Sequence, residues 1–128
     1  MNVTKHDIEI YLAELKKAIK ANRYRIARNE NRLGNNDLFF EYVIDEEKAK
    51  DILLQLDPTD FSEIRSNKKC GYEHELLYIF GKDVVLLERM GTEEKTVSLY
   101  IKFNKLKNYY VIVVSFHEQE YPIKYCFK

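Results

Sequence analysis

The chain reads as a single α+β domain spanning residues 1–128: a mostly antiparallel β-sheet of four to six strands, with two helices from the N-terminal half packed on one face. Three observations predict it. Apolar residues recur at helical spacing from Ile8 to Ile19 and again from Ala49 to Leu56. From Asp60 onward the texture changes to short runs rich in branched and aromatic residues, divided by polar or glycine breaks. A length of 128 residues, 45% hydrophobic and 33% charged, suits one core that buries about two thirds of the unfolded surface.

Thr4, with Asp7 three residues on, supplies an N-cap and an acid at the favourable end of a helix dipole. Ile8, Leu12, Leu15 and Ile19 then form one stripe flanked by Lys16, Lys17 and Lys20, and the helix is expected to end near Ala21 or Asn22. The segment NRYRIARNENR alternates basic and apolar residues and fits a short strand, and LGNND, Leu33 to Asp37, has turn chemistry. Asp45 caps the second helix, Glu46 and Glu47 fill its first turn, Ala49, Ile52, Leu53 and Leu56 share one face, and Asp57–Pro58 end it. The strand runs are DFSEIRS, HELLYIF, VVLLERM, TVSLYIKF and YYVIVVSF. Gly81 to Asp83, Gly91, and Lys107–Asn108 are the predicted turns.

Twenty-one basic residues against 21 acidic ones give no global signal for a polyanion, so any such case rests on where charges sit. Cys70 and Cys126 lack CxxC spacing, which argues against a disulfide framework or zinc knuckle and for a reducing cytoplasm. MNVTKHDIEI lacks the apolar run of a signal peptide, and no segment approaches the roughly 18 apolar residues of a membrane span. Expectation therefore favours a soluble cytoplasmic protein without a membrane partner.

The last two strands carry the chemistry. In SLYIKFN, alternation puts Leu99, Ile101 and Phe103 on one side and Ser98, Tyr100, Lys102 and Asn104 on the other. In YYVIVVSFH, Tyr110, Ile112, Val114 and Phe116 share a side, as do Val111, Val113, Ser115 and His117. A hairpin centred on Lys107–Asn108 sets Tyr100 opposite Ser115 and Ser98 opposite His117. Tyr100 and His117 are then diagonal neighbours within reach of one ligand, with Lys102 a step along the row.

A site of histidine, tyrosine and lysine without carboxylate ligands suits RNA cleavage that needs neither metal nor cofactor. Imidazole can take the 2′-hydroxyl proton or protonate the leaving oxygen near neutrality, lysine stabilises the phosphoryl charge, and tyrosine bonds to phosphate or stacks on a base. The bland alternatives are a solvated strand-end histidine, a surface lysine and packing tyrosines. The basic residues from Lys16 to Arg32 read either as a solvated face or as a phosphate track. Glu118 and Glu120 lack any sign of a sugar cleft, the three histidines have no ligand spacing, and no glycine-rich phosphate loop or GxSxG elbow occurs.

Three stretches resemble the MqsR family of toxin-antitoxin toxins, small ribonucleases with a RelE-like fold. LQLDPTDF is similar to the family's leucine followed by an aspartate–aromatic pair, SLYIKF to its tyrosine–apolar–lysine strand, and VIVVSFHE to its final valine–serine–phenylalanine strand with a basic residue next. The tail EYPIKY looks like one branch of these toxins. The resemblance implies an mRNA interferase in which His117, Tyr100 and Lys102 act on single-stranded mRNA, partnered by an antitoxin with a DNA-binding domain. Tyr121, Lys124, Arg65 and Lys82 are the expected substrate contacts. The chain departs from the pattern at Glu63, where such toxins can carry a lysine that Arg65, Lys68 or Lys69 would replace, and ELLYIF lacks an expected glutamine. A non-catalytic RNA-binding or regulatory module, and a protein-interaction domain, are the alternatives.

Overall fold

The computed structural model describes residues 2–28 and 32–128, so residues 29–31 of the expected first strand segment lie outside the described residues. Helix α1 (Lys5–Lys20) is followed by β1 (Tyr24–Ile26), α2 (Leu33–Glu41), α3 (Glu46–Leu54), a 3-10 turn (Pro58–Asp60), β2 (Phe61–Ser66), β3 (Leu76–Leu87), β4 (Glu94–Lys105) and β5 (Val111–Glu118). The strands form one sheet in the order β1-β5-β4-β3-β2. β1 runs parallel to β5, and the other pairs are antiparallel.

Local chemistry explains the ends of α1. Thr4 and Asp7 exchange side chain to backbone hydrogen bonds in a capping box. At the other end Asn22 adopts φ 59°, its N–H donates to the Ile19 carbonyl and that of Arg23 to Ala18, a Schellman closure. Ile8, Leu12, Leu15 and Ile19 join one core with Leu99, Ile101 and Phe103 of β4 and with Ala49, Ile52 and Leu53 of α3. Asp45 caps α3 as expected, but the helix stops at Leu54, and Asp57 caps the 3-10 turn instead. The result is an α+β fold with helices from the N-terminal half against one face of a mostly antiparallel sheet.

Two predicted turns are not turns. LGNND lies in α2, whose glycine and asparagines are poor helix formers and whose N-terminal residue makes no side-chain cap. Tertiary contacts override propensity there: Asn35, Leu38 and Phe39 are buried, and Arg89 donates to the carbonyls of Phe39, Phe40 and Tyr42 at the helix end. Likewise β3 continues through Gly81 to Leu87, so HELLYIF and VVLLERM are one strand. The turns at Gly91 and Lys107–Asn108 do join successive strands.

The β4–β5 register also differs from expectation. Lys105 pairs with Val111, which centres the turn on Asn108 and shifts the pairing by one residue from the predicted register. A β-bulge between Lys102 and Phe103 then adds a second offset, because Phe103 pairs with Val113 while Lys102 pairs with Ser115. Between turn and bulge the single offset reverses the faces, so Val111 and Val113 point into the core. Beyond the bulge the two offsets restore them, Phe116 is buried, and Tyr100 stands directly opposite His117. Asn35 secures this irregularity: its Oδ1 accepts the Phe116 N–H at 2.7 Å and its Nδ2 donates to Val114 O at 3.1 Å and Ala27 O at 2.7 Å.

Candidate active site

On the sheet face away from the main core, Tyr100, Lys102 and His117 line a cleft of about 730 Å³ together with Arg32, Arg65, Tyr121 and Lys124. Six of the seven residues expected at the site from sequence therefore converge. Lys82 does not: it pairs with Leu99, so its side chain leaves from the other face, where Nζ meets the buried Asp60 carboxylate at 3.4 Å. One residue of alternation separates it from the outward side.

The Tyr100 and His117 rings stack with centroids 5.2 Å apart and planes inclined by 14°. Imidazole Nδ1 lies 2.8 Å from the Glu118 carbonyl, which can only accept, so the proton of the neutral ring sits on Nδ1 and Nε2 is the basic nitrogen. Nε2 has no protein hydrogen bond among the described residues. The ring also lies close to α2: a Cβ built on Gly34 would lie 3.3 Å from His117 Cγ and Cδ2. Tyrosine and helix backbone together fix the imidazole plane.

Burial, reinforced by Glu63 and opposed by Arg65, raises the Tyr100 pKa above its usual value, so the phenol keeps its proton near neutrality. Lys102 is affected in the opposite sense, because burial and the nearby Arg32 and Arg65 guanidinium groups lower its pKa. Its Nζ lies 6.0 Å from the Tyr100 ring centroid. The local field is thus cationic although the whole chain has balanced charge. Glu63 offsets part of it through a 2.6 Å contact with Arg65, an exposed pair of modest energetic weight.

Arg32, Gly34, Asn35 and Ser115 were not singled out as site residues by sequence. Arg32 belongs to the basic run, whose members diverge in space: Arg23 donates to Asn108 O and Arg28 lies over the Phe39 ring. Lys68 and Lys69 sit in the β2–β3 loop outside the cleft lining, which leaves Arg65 as the cation nearest to the expected replacement. Gly34 and Asn35 carried a turn signal that concealed their role. Both cysteines are free, and no described helix is long and apolar enough to cross a membrane.

Comparison with protein-family models, with curated proteins and with solved structures finds no match to this chain.

Proposed function

We propose that the protein is an endoribonuclease that cuts single-stranded mRNA by attack of a 2′-hydroxyl on the adjacent phosphorus, without a metal. The supporting observation is the Tyr100–His117 stack, with Nε2 available at a cleft bordered by Lys102, Arg32, Arg65 and Lys124. In this reading Nε2 removes the 2′-hydroxyl proton, the 2′-oxygen bonds to phosphorus, and the bond to the 5′-oxygen breaks. The protonated Tyr100 phenol donates to the phosphoryl or leaving oxygen. Lys102 and the arginines stabilise charge on the equatorial oxygens, a term that grows as water is excluded. The products are a 2′,3′-cyclic phosphate and a 5′-hydroxyl.

Likeness of LQLDPTDF, SLYIKF and VIVVSFHE to the MqsR toxins extends the reading to a toxin-antitoxin toxin with a RelE-like fold. It acts in the cytoplasm and is held in check by an antitoxin that carries a DNA-binding domain.

Purified protein incubated with single-stranded RNA in EDTA tests the chemistry. Fragments ending in cyclic phosphate are expected, and His117→Ala should slow their appearance by about 10²- to 10⁴-fold while RNA is still bound. RNA that is retarded in a gel but never cut would instead identify a binding module.

A further inference from the structure

The segment after β5, from Gln119 to Lys128, is neither helix nor strand, yet it is fastened across the sheet. The Gln119 N–H donates to Ser98 O at 2.8 Å, and its Nε2 to Leu99 O at 3.0 Å. At the far side Ser62 Oγ donates to Lys124 O at 2.6 Å, the Cys126 N–H donates to Phe61 O at 2.9 Å, and Phe127 stacks on Phe61. Between these anchors the strap passes over β3 at Gly81. A Cβ there would meet three side-chain tips of the strap: it would overlap Ile123 Cδ1, stand 2.5 Å from Tyr125 Oη and 3.0 Å from the anchoring Gln119 Nε2. The glycine does not occupy the left-handed φ region, so room rather than backbone freedom explains it.

We infer that Gly81 is a positioning residue for substrate: its bare backbone is the seat on which the C-terminal strap crosses the sheet, carrying Tyr121 and Lys124 into the cleft as a binding wall. Both side chains are exposed, so the strap's backbone fixes where they stand. Gly81 pairs with Tyr100 on the strand ladder, yet the three atoms a Cβ there would meet first belong to the strap and not to Tyr100 or His117. A side chain at position 81 therefore disturbs the binding wall and spares the reacting groups. The identity of the ligand rests on the ribonuclease reading, whereas the seat does not.

The experiment compares wild type with Gly81→Ala, reading hydrogen exchange at the Cys126 amide and steady-state cleavage of RNA. Gly81→Ala should lower protection of that amide and raise KM several-fold, with kcat within about twofold. Adding Ile123→Val and Tyr125→Phe removes the two nearest atoms, Cδ1 and Oη, leaves only the Gln119 Nε2 contact at 3.0 Å, and should restore most of both readouts. Ser62→Ala, which adds no bulk, should loosen the same amide and raise KM by a smaller factor. Retained protection in Gly81→Ala, or lost protection with an unchanged KM, overturns the proposal, as does a fall in kcat alone. If wild type neither binds nor cuts RNA, the ribonuclease reading fails, and loss and rescue of Cys126 protection still decide the seat.

Discussion

On one side of the cleft Tyr100, Lys102 and His117 rise from paired strands whose bulge is held by the buried Asn35, whereas on the other Tyr121 and Lys124 ride on an irregular segment fastened at its ends. The imidazole stacks on a tyrosine ring and lies close to a helix, but Tyr121 is 78% exposed. Catalytic groups must be held to within about 0.5 Å, a precision that strands and helices supply better than loops. The rigid wall thus suits chemistry and the strap suits binding, a division that mutation can break or sharpen.

The largest effect is expected where the rigid wall is pinned. Asn35→Ala leaves the Phe116 N–H and the Val114 carbonyl without their buried partner and should cost about 3 kcal/mol in urea unfolding. A loss under about 1 kcal/mol would mean that the bulge holds its shape without Asn35. Gly34→Ala separates position from stability. Alanine favours the helix by up to about 1 kcal/mol, so the fold should be no weaker, yet its methyl presses on the His117 ring and should lower kcat by about tenfold at constant KM. Unchanged kcat would show that the imidazole moves without consequence.

The smallest effect concerns pH. A bound phosphate favours the charged form of Lys102 and raises its depressed pKa, so binding takes up a proton as pH climbs through the free protein's value. RNA affinity should therefore decline with rising pH in a window below 10.5, and Lys102→Arg, charged throughout, should flatten that decline. Stability runs the other way: the unfolded chain holds the Lys102 proton more tightly, so this group's contribution increases with pH across the same window. Fluorescence anisotropy of labelled RNA across pH, for wild type and Lys102→Arg, checks the binding side.

Sequence periodicity revealed α1, α3 and the outward row of β4, because each has a repeating apolar pattern or a cap written into neighbouring residues. It also brought His117 to the side of Tyr100, though the structure reaches that side through two register offsets that together restore the face. What stayed hidden depends on distant partners. Gly34–Asn35 reads as a turn until β5 supplies the groups that Asn35 satisfies, and Gly81 reads as a break until the C-terminal strap arrives to use its space. Lys82 shows the limit of pattern for a single charge, since only the strand phase assigns it to Asp60 rather than to the cleft.

The fastening of Cys126 and Lys124 to β2 has one more effect, on the rim of the sheet. β2 is an outermost strand, and its Phe61 carbonyl is already occupied by the chain's own end, next to a bulge between Phe61 and Glu63. The opposite rim is β1, only three residues long. Foreign strands looking for a template therefore meet a stub at one border and, at the other, an edge kinked and partly occupied at its start, features that blunt edge-to-edge aggregation.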